Sequence, residues 1–196
     1  MRTLLVARHG ESEFSARSLV NGDPGVACPL TEAGRAQARA LGAALAEERL
    51  DLGAVTEFER VRETAELALA GRDVPFLVVP ELNDPRYGDF DGGPLDAYRE
   101  WAWERGPLDA PPGGEHRGQL ADRYARGLRL LLDRPEDAIL LVAHSLPIAY
   151  LRDAAGGVAP RSRMDMVDYA QVLRLERLEV EQAVRVLEAW AAAPAF

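Results

Sequence analysis

Two of the three histidines in this 196-residue chain follow nearly identical apolar runs. His9 ends the run in TLLVARHGES (residues 3–12), and His144 ends the run in ILLVAHSLP (residues 139–147). Near neutral pH an imidazole can act as a nucleophile, a proton carrier or a hydrogen-bond donor. Ligands of open α/β sheets bind beyond the carboxyl ends of the strands. If the two runs form neighbouring strands, both histidines face one pocket.

The residues beside these histidines favour an anion such as phosphate as the ligand. Arg8 precedes His9, and Gly10 lets a ligand approach the backbone closely. A helix that starts at Pro147 would direct free backbone N–H groups into the same pocket. The sequence has neither closely spaced zinc ligands nor the glycine-rich loops of nucleotide-binding proteins, so no metal and no cofactor is expected.

The elements that must position these residues follow from the spacing of apolar positions. Strands that alternate with helices predict an α/β protein of one domain over residues 1–196, with a mainly parallel sheet between two helical layers. The predicted strands cover residues 3–7, 53–58, 74–79 and 137–143. The predicted helices lie within residues 30–50, 60–71, 95–106, 118–133 and 147–157.

Three further segments are assigned from composition and local pattern. Residues 8–29 predict a long functional loop, and the Pro/Gly-rich stretch of residues 81–116 predicts a small cover insertion. The tail segments QVLRLERLEV (171–180) and AVRVLEAW (183–190) alternate apolar and polar residues. That alternation favours edge strands in the tail, with an amphipathic helix as the alternative.

Composition narrows the class of partner. The formal net charge of −9 argues against nucleic acid and anionic membrane surfaces as partners. The single cysteine, Cys28, cannot form an internal disulfide, which predicts a reducing, cytoplasmic location. No apolar run approaches the roughly 20 residues of a membrane helix.

Five stretches together carry a resemblance to a known family. ARHGES resembles the R-H-G-[ET] signature of the histidine phosphatase superfamily, the phosphoglycerate-mutase-like enzymes. In the family's order, PLTEAGRAQARAL, ERVRETAELA, GGEH and LLVAHS are similar to its further motifs. The resemblance implies the three-layer α/β/α fold of that family and a small phosphorylated substrate.

The resemblance also implies a role for each matching residue. The neutral imidazole of His9 would attack phosphorus, and the resulting phosphohistidine would split hydrolysis into two easier steps. Arg8 and Arg60 would clamp the phosphoryl oxygens, and His144 would stabilise their charge in the transition state. Because these residues supply the positive charge, the implied reaction needs no metal.

The proton donor departs from the family's pattern. The family places a glutamate in L-x-E-x-x-x-G, and the matching stretch LNDPRYG has Asp84 there. Aspartate is one methylene shorter, and a proton donor must be positioned closely, so Glu81 and Glu115 stay open as alternatives.

Two serines also depart from the pattern. Ser15 stands where an asparagine often lies near the phosphate, and Ser145 stands where a glycine usually follows the second histidine, but either hydroxyl can bind phosphate.

Metal-independent hydrolysis of a phosphomonoester is therefore the first hypothesis. A phosphoglycerate-mutase-type phosphotransferase is an alternative, although the short span from Gly92 to Gly114 favours hydrolysis. An inactive phosphate-binding scaffold also stays open because of Asp84. A serine hydrolase is disfavoured, since Ala143 and Pro147 replace the glycines that flank a nucleophile elbow. The substrate and the choice between monomer and homodimer stay open.

Overall fold

The computed structural model describes residues 1–196 and contains one five-stranded sheet. The strands are β1 (Thr3–Arg8), β2 (Leu52–Val55), β3 (Phe76–Val78), β4 (Ala138–Ala143) and β5 (Val172–Glu176). Their order across the sheet is β3-β2-β4-β1-β5. The first four strands pair in parallel, and β5 pairs antiparallel with β1 at one edge.

Seven helices accompany the sheet. They are α1 (Glu13–Ala16), α2 (Glu32–Ala44), α3 (Glu59–Ala68), α4 (Leu95–Trp103), α5 (Arg117–Leu132), α6 (Ser145–Ala155) and α7 (Arg177–Ala192). Short 3₁₀ turns occupy Pro80–Leu82 and Gly88–Phe90. None of these helices combines the length and the apolarity that a membrane crossing requires.

Alternating side chains of the strands form two separate cores. In β1, Leu4 and Val6 face a core shared with α5, α6 and α7, whereas Leu5 and Ala7 face a core shared with α2 and α3. Successive strand residues point to opposite faces, so a strand with helices on both sides is apolar throughout. The result is the three-layer α/β/α arrangement that the sequence predicts.

The predicted elements up to residue 157 are present, with some changes at their ends. Thr31 caps α2, and its hydroxyl accepts a hydrogen bond from the Gly34 N–H. The loop of residues 8–29 includes α1, a single turn capped by Ser12.

The expected helix start at Pro147 is wrong, because α6 begins at Ser145 with His144 as its N-cap. Proline fits inside a first turn, where its missing N–H has no intrahelical partner.

The tail prediction is right for its first half and wrong for its second. Residues 172–176 form the antiparallel edge strand β5, but the rest of the tail, from residue 177 through 183–190, lies in helix α7, as the alternative prediction of an amphipathic helix has it. The buried positions Val180, Ala183, Val184 and Leu187 have helical spacing, which outweighs the short alternating runs. The Glu179 carboxylate accepts a hydrogen bond from the Glu176 N–H at 2.7 Å and so stabilises the start of the helix.

Candidate active site

Three adjacent parallel strands end at one edge of the sheet, and each is followed by a polar residue. Arg8 at the end of β1 pairs with Ala143 at the end of β4, which places His9 and His144 side by side. Their ring centroids are 5.4 Å apart. β2 lies next to β4, and Thr56 follows it. The two histidines therefore share one site, as their positions in the sequence predict.

The contacts of His9 assign its tautomer. Its Nδ1 lies 2.7 Å from the Gly10 carbonyl oxygen, which can only accept, so Nδ1 carries the proton. The Nε atom of Arg60 donates to His9 Nε2 at 3.3 Å, so Nε2 holds the lone pair. Burial and the charges of Arg60 and Arg8 lower the pKa of His9 well below its ordinary value. The ring is therefore a neutral imidazole with a basic nitrogen directed at Arg60.

Arg60, in the first turn of α3, links the functional groups of the site. Its side chain is nearly inaccessible, with 4% exposed. Nη2 donates to Asp84 Oδ2 at 3.2 Å and lies 3.3 Å from His144 Nδ1. Nη1 donates to the Asn21 side-chain oxygen at 2.5 Å. The guanidinium is thus held rigidly between His9 and Asp84.

His144 is held from its other side by Thr56. The Thr56 hydroxyl lies 3.0 Å from His144 Nε2, and the ring meets Phe58 edge to face at 4.8 Å. Nδ1 accepts from Arg60, so Nε2 carries the proton and donates to Thr56. Burial, with the nearby positive charges of Arg60 and Arg8, lowers the pKa of His144 well below its ordinary value.

Arg8 is buried between the sheet and the segment of residues 156–171, which joins α6 to β5. Its Nη1 donates to the Val167 carbonyl oxygen at 2.8 Å, and its guanidinium lies 3.8 Å from the centre of the Tyr169 ring. Its Nε is buried without any hydrogen-bond partner. The Arg8 side chain also lines the cavity that contains His9, which places its positive charge beside that cavity.

Of the three candidate proton donors, only Asp84 lines the cavity that contains His9. Burial raises the pKa of the Asp84 carboxyl, and the positive charges of Arg60 and Arg8 oppose that shift only in part. Glu115 is ion-paired with Arg123 at 2.9 Å and accepts a hydrogen bond from the Arg86 N–H. Glu81 and Glu115 line a different, polar cavity.

The two predicted serines lie at the cavity, but their hydroxyls already have partners. Ser15 Oγ accepts from the Ser12 N–H at 2.7 Å and donates to the Ser12 carbonyl, as part of the cap of α1. Ser145 Oγ accepts from the Val167 N–H at 3.0 Å and contacts the sulfur of Met166. Ser145 therefore attaches the 156–171 segment to the start of α6.

The cavity above the strand ends has a volume of about 360 Å³ and brings together Arg8, His9, Arg60 and Asp84. His144 lies directly behind Arg60 and Asp84, with its Nδ1 3.6 Å from Asp84 Oδ2. No group of three or more His, Cys, Asp or Glu side chains is arranged to hold a metal ion. The arrangement combines a neutral imidazole, fixed positive charges and a carboxyl group of raised pKa.

Sequence reasoning missed four residues of this site. Asn21 binds Arg60, Thr56 binds His144, Tyr169 stacks on Arg8, and Thr64 accepts from the Gly10 N–H at 3.0 Å. Thr64 belongs to the ERVRETAELA motif, which was its one available signal. The other three lie in loops or just beyond a strand end, where no periodic pattern marks them.

A comparison with protein-family models matches residues 4–192 to the histidine phosphatase superfamily (branch 1). The adenosylcobalamin/α-ribazole phosphatase of Salmonella typhimurium is 44% identical over 91 residues, which cover 46% of this chain and 44% of that protein. This chain therefore matches less than half the length of that relative.

Two further proteins resemble the chain over most of its length. A 2,3-bisphosphoglycerate-dependent phosphoglycerate mutase of Methylobacterium sp. is 31% identical, with 95% of this chain and 96% of that protein covered. The crystal structure of the α-ribazole phosphatase from Shigella flexneri superposes with a TM-score of 0.74 at 28% identity. That superposition covers 88% of this chain and 89% of the other.

Proposed function

Because the chain belongs to the histidine phosphatase superfamily, we propose that it hydrolyses phosphomonoesters through a phosphohistidine intermediate on His9. The relatives named as phosphatases support this activity. The observation that carries the proposal is the tautomer of His9. Its Nδ1 donates to the Gly10 carbonyl oxygen at 2.7 Å, which leaves the lone pair on Nε2. That lone pair would attack phosphorus once the phosphoryl group displaces Arg60 Nε from it.

Three cationic or donor groups around His9 would hold the phosphoryl group. Arg8 lines the cavity with its positive charge, and Arg60 would exchange its hydrogen bonds to His9 and Asp84 for phosphoryl oxygens. A bound phosphate dianion would favour protonation of His144 Nδ1, while Thr56 continues to accept from Nε2. Removing one such preorganised donor typically costs about 3–4 kcal/mol of transition-state stabilisation.

Asp84 would act as the proton donor. In the first step the P–O bond to the alcohol breaks as the bond to His9 Nε2 forms, and the Asp84 carboxyl gives its proton to the leaving oxygen. In the second step the Asp84 carboxylate takes a proton from water as that water attacks phosphorus, and His9 leaves. Burial raises the pKa of Asp84, which favours the first role because it makes the carboxyl easier to protonate.

The roles of Ser15 and Ser145 are supportive in this proposal. Ser15 caps α1 beside the cavity, and Ser145 fixes the segment that carries Tyr169. No metal ion or cofactor enters the proposed steps, since Arg8 and Arg60 supply the positive charge.

Turnover of p-nitrophenyl phosphate in the presence of a metal chelator tests the proposal. We expect His9→Ala to abolish both turnover and the acid-labile phosphoenzyme formed with ³²P-labelled substrate. The matched control His116→Asn removes a histidine that caps α5 outside the cavity and keeps a capping side chain, so it should retain activity. Full activity in the His9 variant, or a strict requirement for a metal, would contradict the proposal.

A second candidate function is a phosphoglycerate-mutase-type transfer, which the full-length similarity to the Methylobacterium mutase favours. Both functions would use the same phosphohistidine. They differ in whether the phosphoryl group passes to water or to a second alcohol. Isomerisation of 3-phosphoglycerate that depends on added 2,3-bisphosphoglycerate would identify a mutase, and release of inorganic phosphate alone would identify a hydrolase. A protein that binds phosphate but performs neither reaction would be a scaffold.

A further inference from the structure

The cavity beside His9 is larger than a phosphoryl group requires. Its volume of about 360 Å³ lies in the range of roughly 300–1,000 Å³ that is typical of pockets for whole small organic molecules. Half of its 26 lining residues are hydrophobic. The cavity therefore has room for the part of the substrate that leaves with the oxygen.

The hydrophobic part of the lining comes from four separate segments. We give the name apolar wall to six of its thirteen residues, which are Phe14, Leu19, Leu95, Ala102, Leu146 and Met164. They belong to α1 and the loop after it, to α4, to α6 and to the 156–171 segment. Five of the six, all except Ala102, remain partly accessible to solvent. A ligand that covered them would remove apolar surface from water, which is favourable.

The cations that line the cavity beyond the phosphate site already have partners. Arg99 is paired with Asp96 at 3.2 Å, and Arg117 donates to the carbonyl oxygens of Arg161 and Ala102. Asp165 is paired with Arg161 at 3.7 Å. Only Arg117 lacks a carboxylate partner in this part of the lining, and both of its Nη atoms already donate to carbonyl oxygens.

We propose that the apolar wall binds an uncharged hydrophobic leaving group, so that the substrate is a phosphomonoester of a neutral apolar alcohol. This inference rests on the proposed function and names the substrate class for the same site. Such an ester has one anionic end, which matches Arg8 and Arg60, and a neutral remainder, which matches the wall. Binding energy from the remainder can raise kcat/KM without any new contact at phosphorus.

Two esters with the same type of leaving oxygen test the proposal. Propyl phosphate and 3-phenylpropyl phosphate both release a primary alkoxide, so the phenyl ring changes only the contact with the wall. We expect kcat/KM to be at least about tenfold higher for the phenylpropyl ester, which is the range of discrimination in apolar pockets. Equal values, or a preference for glycerol 3-phosphate or 3-phosphoglycerate, would overturn the inference.

A pair of matched variants tests whether the preference for the phenylpropyl ester arises at the apolar wall. Leu95→Asn keeps the side-chain size but places an amide on the wall, and it should lower the phenylpropyl-to-propyl ratio of kcat/KM severalfold. Leu178→Asn is the control, because Leu178 is 75% exposed on α7 and does not line the cavity. We expect the control to retain the wild-type ratio. A ratio that stays unchanged in the Leu95 variant would overturn the assignment of the wall.

Binding of phosphonates separates this inference from the proposed function. The calorimetric Kd of 3-phenylpropylphosphonate should be at least about tenfold lower than that of propylphosphonate in the wild-type protein. If the two Kd values differ in this way but no ester is hydrolysed, the result would support binding at the apolar wall and contradict the proposed hydrolase activity. Turnover with equal Kd values would support the hydrolase and overturn the wall. Both comparisons use the wild-type protein, so they remain decisive if the Leu95 variant does not fold.

Discussion

At the scale of single residues, burial shifts the pKa values of the histidines and of Asp84 in opposite directions. It lowers the pKa of His9 and His144 and raises the pKa of Asp84. Each shift favours the neutral form of the group, because a charge loses hydration energy when it leaves water. A neutral imidazole and a protonated carboxyl are the forms that the proposed transfer to His9 would use. The arginines stay charged and would attract a phosphorylated substrate.

Asp84→Asn is expected to slow the hydrolysis of alkyl phosphates by about 10²–10⁴-fold, since an alkoxide leaves poorly without a proton. The effect on p-nitrophenyl phosphate should be much smaller, because its leaving group needs little protonation. In the wild-type enzyme the alkyl-ester rate should fall as pH rises through the raised pKa of Asp84. This alkaline decline should be missing in the variant. Steady-state rates between pH 5 and 9 measure both effects.

Glu81→Gln is the control for this experiment. The Glu81 carboxyl lies in the neighbouring polar cavity rather than beside His9, so its replacement should leave the alkyl-ester rate unchanged. An unchanged rate in the Asp84 variant, together with a slower Glu81 variant, would assign the proton donor to Glu81.

At the scale of elements, the 156–171 segment joins the core to the site. It follows α6 and leads into β5, and the Ala170 N–H donates to the Arg8 carbonyl at 3.0 Å. Through Val167 and Tyr169 it also fixes the Arg8 side chain. The segment therefore supports Arg8, the proposed phosphate-binding residue, while α4 supplies part of the apolar wall.

Tyr169→Ala should reduce kcat/KM by about 10–100-fold, because Arg8 loses the ring that orients it and a 1 Å displacement can cost about 10²-fold. Tyr169→Phe keeps the ring and should remain near the wild-type value. The inhibition constant of inorganic phosphate should weaken in the alanine variant alone. Equal losses of kcat/KM in both variants would show that the hydroxyl group of Tyr169, and not its ring, orients Arg8.

The packing of helix α7 predicts that buried and exposed positions of the tail contribute differently to the free energy of unfolding. Leu187 on α7 is fully buried, so Leu187→Ala should lower the free energy of unfolding by about 2–5 kcal/mol. Leu178→Ala, at an exposed position of the same helix, should change it by less than about 0.5 kcal/mol. Urea denaturation measures both values. Similar effects at the two positions would contradict the helical packing of the tail.

At the scale of the whole molecule, the sheet brings together site residues that are far apart along the chain. Residues 8–9, 56–60, 84 and 144–145 meet above the carboxyl ends of β1, β4 and β2. Packing on both faces of the sheet holds those strand ends in place. The buried histidines are part of this packed structure, so their titration is coupled to the stability of the fold.

The contribution of His9 and His144 to the free energy of unfolding should rise with pH up to about 6.5 and then stay constant, whereas Asp84, with its raised pKa, contributes in the opposite sense. Below that pH the unfolded chain protonates His9 and His144, whereas the folded protein keeps them neutral because their pKa values are lowered. Within this pH window, each histidine can add up to about 1.4 kcal/mol per pH unit to the slope of the free energy of unfolding against pH. Urea denaturation at pH 5.0–7.0 should show a shallower slope for His9→Gln than for the wild type. An identical slope would mean that His9 is protonated in the folded protein.

Much of this molecule can be derived from local patterns along the chain. The periods of apolar residues predict the strands and most helices, and the matching runs before His9 and His144 predict a shared pocket at the sheet edge. Arg8, Arg60 and Asp84 follow from motif register. The partners of these residues could not be derived in the same way. Asn21, Thr56 and Tyr169 lie 39, 88 and 161 positions from Arg60, His144 and Arg8 along the chain. Periodicity reports only which face of an element is buried, whereas contacts between distant segments, the proton on His9 and the pKa of Asp84 depend on how the packed elements exclude water.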